Sequence, residues 1–256
     1  MSAADGYVKT VTEKIENLLA TQKPVLESVA LAIFKSLTSG DDANSLKCTP
    51  NVWHLFGAGH SHMVVEEAFH RAGGLIPINP WLEEYLMPHA GPSRNGPLER
   101  LSGLAKVIFD FYKPQAGEVI TIISNSGINA TSVEMAEHAK KAGLITVAIT
   151  NIEHSKKTSS RHVSGKKLYE LCDHVIDSGG IPGDAVVKIQ GLDVPVGPLS
   201  TILGSITVNY LSVRVCEYFS ESGKVAPVYL SANLPGGDER NKKLEQQYKS
   251  RISRLQ

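Results

Sequence analysis

Two short runs of hydroxyl, amide and glycine residues carry the chemistry legible in this chain: Gly57-Ala58-Gly59-His60-Ser61 and Ser124-Asn125-Ser126-Gly127-Ile128-Asn129. Each follows an apolar stretch, residues 52–56 and 118–123, and each leads into a helical pattern. A strand-to-helix turn of this composition suits an anion. The first amides of a helix have no intrahelical acceptor, the helix dipole adds partial positive charge, and Ser124, Ser126 and Asn129 supply short side-chain donors. Ser and Asn are equally at home there as plain N-caps, so the second run alone reads either way. Two such turns at two strand ends favour one crevice for a phosphate-like group.

Cofactor motifs are missing from the same turns. Gly57 and Gly59 lack the third glycine and the downstream acidic residue of a dinucleotide unit, and no Gly-Lys-Ser/Thr closes either loop. No cofactor is expected. His60 and His62 form a His-x-His pair, but no third ligand stands at metal-binding spacing, so no metal is expected either.

The elements that must hold these turns alternate. Strands are expected at 52–56, 75–78, 118–123, 144–150, 174–177 and 185–189, with helices at 61–72, 98–112, 127–142, 168–171, 198–219 and 239–255. An apolar helical pattern over 7–37 is interrupted near 21–24, which predicts one kinked helix or two. Residues 39–47 read as a linker, 79–97 as a long loop and 151–166 as a polar loop. Alternating strands and helices imply a parallel sheet covered on both faces, with ligands at the carboxyl ends of the strands. The chain divides into an N-terminal helical segment (1–50), a core (51–225) and a C-terminal tail with a charged helix (226–256).

Bulk composition narrows the partners. Lys and Arg total 26 against 26 Asp and Glu, and aromatics make up 6%, which leaves no basic, aromatic-interleaved footprint for nucleic acid. No apolar run reaches membrane-spanning length, so no membrane partner is expected. Cys48, Cys172 and Cys216 are sparse and unpatterned, which fits free buried thiols in a reducing, cytoplasmic setting.

Over residues 7–219 the chain resembles the sugar isomerase (SIS) family of phosphosugar-binding domains, on the strength of the Gly57–Ser61 and Ser124–Asn129 motifs. The resemblance implies a flavodoxin-like three-layer α/β/α fold with a five-stranded parallel sheet, a homodimer, and a sugar phosphate as ligand. It assigns Ser61, Ser124, Asn125, Ser126 and Asn129 to the phosphate and His60 to the sugar-phosphate site. Pro198-Leu199-Ser200-Thr201 resembles a Pro-x-x-Ser-Thr segment of arabinose-phosphate isomerases, which adds Ser200 and Thr201 as sugar contacts. The glutamate that phosphoheptose isomerases place ten residues after the first serine is Arg71 here, and their late-helix histidine has no counterpart in 200–217.

Aldose-ketose isomerisation requires a base and an acid, and Glu66, Glu67, His89 and Glu99 are the available groups. Glu66 and Glu67 stand at i,i+4 to His70 and Arg71, a plain helix-surface pairing. His89 lies in the long loop, where no apolar periodicity explains it. Glu67 and His89 are the expected base and acid. His154, Arg161 and His162, in the polar loop after 150, either close over an anion or are solvated. An etherase or lyase acting on a phosphorylated amino sugar, and a non-catalytic sugar-phosphate sensor, are the alternatives to the isomerase.

Overall fold

The computed structural model describes residues 2–39 and 49–256. The expected linker, beyond Ser39, and Cys48 lie outside them. Five parallel strands, β1 (Trp53–Gly57), β2 (Ile78–Trp81), β3 (Val119–Ile123), β4 (Ile145–Thr150) and β5 (His174–Asp177), form one sheet in the order 2-1-3-4-5. This is the flavodoxin-like three-layer arrangement.

Alternation along the central strands divides the core in two. Trp53, Leu55, Val119, Ile123, Val147 and Ile149 pack under α1 (Ala3–Thr38), α2 (Ser61–Ala68) and the later helix Ser200–Glu221. Phe56, Ile120, Ile122 and Ala148 pack under α4 (Leu104–Tyr112), α5 (Ala130–Lys141) and the single-turn α7 (Leu168–Leu171). α3 (Pro92–Glu99) lies between the second 3-10 turn and α5, and α6 (Ile152–Lys157) follows β4. The chain after β1 thus turns to one face and the chain after β3 to the other, so a crevice opens between the two turns at the carboxyl end of the sheet.

α1 is one helix of 36 residues that runs through Pro24. The proline removes the bond to the Ala20 carbonyl, but Pro24 and Ala20 both face solvent, while Leu18, Leu26, Val29 and Ile33 stay buried on either side. The second strand is displaced from the expected 75–78 to Ile78–Trp81, pairing Trp53 with Ile78; Leu75 bridges Val228 instead. β2 is an edge strand, which tolerates Pro80. The expected 79–97 loop is ordered as two 3-10 turns, Glu84–Leu86 and Pro88–Ala90, followed by α3. The expected 98–112 helix is interrupted over residues 100–103: α3 ends at Glu99 with Arg100 as its C-cap, and α4 starts after Gly103, whose φ is 86°.

A two-stranded hairpin, β6 (Ala185–Val187) with β7 (Val196–Pro198), precedes α8 (Ser200–Glu221). The C-terminal segment, α9 (Gly237–Tyr248) and a 3-10 turn at Ser253–Leu255, is fastened to the sheet. Arg251 reaches both oxygens of buried Glu118, at 2.6 and 2.7 Å, and Ile252 is fully buried. Most of the apolar surface of α8 is spent inside the chain: Leu203, Val208, Leu211, Val215 and Phe219 are buried, with Val213 exposed. No helix among the described residues is long and apolar enough to cross a membrane.

Candidate functional site

The crevice between the β1 and β3 turns is a cavity of about 550 Å³. It gathers His60 and Ser61 from the first turn and α2, Ser124, Asn125, Ser126 and Asn129 from the second, and Ser200 and Thr201 from α8. The side-chain donors of Ser61, Asn125, Ser126 and Thr201 have no hydrogen-bond partner among the described residues, so they are available to a ligand.

Glycine makes both turns possible. A Cβ on Gly57 would come within 2.5 Å of the Ser61 carbonyl oxygen, because α2 starts directly over the end of β1. Gly127 has φ of 62° and would press a Cβ to 2.9 Å from Thr150 Oγ1. Gly57→Ala is expected to push α2 off β1 at a cost of about 1–3 kcal/mol, read as a lowered melting temperature; an unchanged value would remove the close-approach explanation.

Ser124 serves the turn as well as the cavity. Its Oγ accepts the Gly127 amide at 3.1 Å, which leaves its own hydrogen to donate. α5 opens beside it with no side chain capping its first amides. α8 differs: Asp184 accepts the Leu199 and Ser200 amides at 3.2 and 2.8 Å and the Ser200 hydroxyl at 2.8 Å. The amide end of α8 is thus already met by a carboxylate, and the β3 turn is the end left for an anion. The lining contains Glu99 and Asp184 but no Lys or Arg, so an anion there would be held by neutral dipoles rather than by a countercharge.

Asn129 is placed in the cavity wall, but both ends of its amide are engaged. Oδ1 accepts Arg161 Nη1 at 2.9 Å and Nδ2 donates to Glu99 Oε2 at 2.7 Å. One Nδ2 hydrogen is thus spent on Glu99, and the second is the only side-chain donor Asn129 has left to offer a phosphate.

Glu99 is the second carboxylate of the lining. It is the last residue of α3 and lines the cavity, with Asn95 Nδ2 donating to Oε1 at 3.0 Å. Burial raises its proton affinity above the ordinary value of 4.5, and the Asn129 hydrogen bond with the charges of Arg100 and Arg161 opposes that rise.

The structure corrects the expected base. Glu67 does not line the cavity; six residues beyond Ser61 on α2, it lies roughly 9 Å further along the helix axis. It is ion-paired with Arg71 and accepts Asn209 Nδ2 at 3.0 Å, which ties α2 to α8. The expected acid is displaced too. Pro88 faces the cavity, whereas His89 in the same 3-10 turn is exposed and absent from the lining. His62 is buried away from His60, and burial pushes it down to about 4, with His89 and Arg254 nearby adding to the effect. Cys172, lifted to about 12 by burial, and Cys216, also raised by burial, are unreactive thiols distant from the site.

The SIS domain family model matches residues 6–151, more than half of the chain and the whole segment that carries both turns and Glu99. The chain belongs to the SIS domain family. A UPF0309 protein of Caldanaerobacter subterraneus subsp. tengcongensis is 40% identical over 253 residues, covering 98% of this chain and 99% of its own. Among solved structures, a phosphoheptose isomerase from Francisella tularensis superposes with a TM-score of 0.53 at 13% identity, over 85% of this chain and all of that one. The Vibrio vulnificus NanR protein complexed with ManNAc-6P gives 0.51 at 14% identity, over 100% and 70%. At those identities the likeness concerns the SIS fold alone.

Sequence reading missed Asp184 and Asn95 as lining residues of this SIS domain. Asn95 sits in a segment read as loop, and nothing in the spacing links Asp184 to Ser200. The available signal was Pro182-Gly183-Asp184, a turn ahead of the Pro-x-x-Ser-Thr segment; Asp184 adopts φ of 69°, which Asp tolerates better than most residues.

Proposed function

We propose that this cavity binds a sugar phosphate and that the protein is a cytoplasmic phosphosugar isomerase working by proton transfer through an enediol. One observation carries the reading: unpartnered hydroxyl and amide donors at Ser61, Asn125 and Ser126 share a cavity with Glu99, a half-buried carboxylate of raised proton affinity. The phosphate sits at the β3 turn against the α5 amino end, with the sugar extending toward Glu99, Ser200 and Thr201. Glu99 is the base, since Glu67 is spent on the α2–α8 contact. His60 at the cavity mouth is the imidazole nearest to hand for the hydroxyl proton.

Ser126→Ala is expected to weaken sugar-phosphate binding by roughly 1.5–3 kcal/mol, the value of a hydrogen bond to a charged group, while unphosphorylated sugars are unaffected. Equal affinities in calorimetry would take the phosphate away from this turn. The isomerase itself is tested in deuterium oxide over a panel of aldose and ketose phosphates: an enediol leaves label on the carbon beside the carbonyl. Binding without chemistry is the second reading: the NanR protein, of the same fold, is complexed with the sugar phosphate ManNAc-6P, and binding to this chain without any label or product would select it. The resemblance also implies a homodimer; light scattering at micromolar concentration should give the dimer mass, and a monomer mass would exclude it.

A further inference from the structure

The polar loop after β4 reaches back to the cavity through one residue. The Arg161 amide donates to the Ile128 carbonyl at 2.9 Å, and its guanidinium donates to Asn129 Oδ1 at 2.9 Å. Asn129 Nδ2 in turn donates to Glu99 Oε2 at 2.7 Å. The order of these bonds is fixed by chemistry. A guanidinium only donates and a carboxylate only accepts, so the Asn129 amide has one orientation that satisfies both neighbours, with its oxygen toward Arg161 and its nitrogen toward Glu99.

We propose that Arg161 is a positioning residue for Glu99, acting through the Asn129 amide: the arginine locks the amide so that its N–H holds the carboxylate in place and in its charged form. This rests on the reading of Glu99 as the base, but the relay exists whether or not the cavity isomerises a sugar. Arg161 is exposed and does not line the cavity, so its influence on the site has to pass through Asn129 or through space. The loop around it is self-braced: Ser160 Oγ donates to the Lys166 carbonyl and accepts the His162 amide, which keeps Arg161 facing the β3 turn. A bond between charged or strongly polar partners polarises the next one along the chain, so the Arg161 contact strengthens the Asn129–Glu99 bond. The other charged or titratable groups around Glu99 are Arg100 on the same strand of chain, Asp184 across the cavity and His60 at its mouth. Among the described residues none of them has a hydrogen bond to the Asn129 side chain, so this route belongs to Arg161.

The test follows the Glu99 side-chain carboxyl by carbon NMR in protein labelled at glutamate, the signal being assigned with Glu99→Gln. No ligand is needed. Arg161→Ala is expected to move the Glu99 titration to higher pH, Arg161→Lys to restore much of the wild-type midpoint, and Asn129→Ala to move it upward by itself. Adding Arg161→Ala to Asn129→Ala should change little further, because the relay is already cut. Additive shifts would mean that Arg161 acts only as a charge through space, and an unmoved midpoint in Arg161→Ala would mean that it does not act at all; either overturns the relay. If Asn129→Ala fails to fold, the Arg161→Ala and Arg161→Lys pair decides: equal midpoints in those two and in the wild type contradict the proposal. An isomerase that fails its deuterium test would leave these midpoints as they are, so the two readings fall separately.

Discussion

Glu99→Gln lowers turnover by on the order of 10² to 10⁴, the usual contribution of a positioned base, and leaves sugar-phosphate affinity close to wild type. Glutamine fills the same space and still accepts the Asn129 amide, but it cannot take a proton. The Asn95 amide, which now donates to Oε1, has to rotate to face the new amide group, a local change away from the Ser61 and Ser126 donors. The pH profile carries the same signature. Glu99 must be ionised to act as base, and burial raises its proton affinity above 4.5, so activity falls as acid passes through that raised value. The acidic limb of kcat/KM therefore lies at higher pH than for an ordinary glutamate, and the residual activity of Glu99→Gln lacks it. A Glu99→Gln protein with wild-type turnover would return the base to another group.

Arg251→Met has the largest expected effect on stability, about 3–5 kcal/mol, because it leaves Glu118 charged, buried and short of a partner. For a chain of this size that is roughly 6–20 °C in melting temperature. Glu118 is fully buried and accepts the Val52 amide at 3.0 Å, the Gln115 amide at 2.6 Å and His54 Nε2 at 2.8 Å, besides Arg251. His54 is neutral here. Its Nδ1 accepts Trp81 Nε1 at 3.1 Å, and an indole only donates, so the ring proton is on Nε2. Adding Glu118→Gln to Arg251→Met should recover part of the loss, since the stranded charge is removed; no recovery would mean that the cost comes from lost packing of the C-terminal segment instead.

Acid acts on the same cluster from two sides. Burial alone would raise Glu118, but its hydrogen bonds from His54, Gln115 and Arg251 hold it well below 4.5, so its contribution is complete above 4.5 and fades as the pH drops beneath that value. Burial lowers His54 below its ordinary 6.5, so the unfolded chain takes up a proton that the folded one refuses, and stability declines as the pH falls below 6.5. Both slopes have the same sign, and Glu118→Gln should flatten the lower one.

The sheet was legible because its central strands are buried on both faces and read as apolar runs, residues 118–123 and 144–150 above all. The second strand was misplaced because Leu75 and Ile76 look like a strand and Pro80 does not, yet the register is set by Ile78 and Trp81 packing beside β1 at an edge that tolerates proline. The serine turns were visible because their composition is local. Glu99 was named but passed over, since its place depends on the helix break over residues 100–103, and continuous helical periodicity from 98 hides that break. Asn129 looked like a ligand donor from its type alone; its neighbours Arg161 and Glu99 are 32 and 30 residues away, and only the fold shows that they use it.

The central claim is that a sugar phosphate binds between the β1 and β3 turns, and amide NMR titration tests it most directly. A nitrogen-labelled sample is titrated with a panel of pentose, hexose and amino-sugar phosphates, each beside its unphosphorylated sugar. Saturable shifts concentrated at residues 57–62 and 124–132 are expected for at least one phosphate, and none for the matching free sugar. Shifts centred elsewhere, or the same shifts from the unphosphorylated sugar, would contradict it.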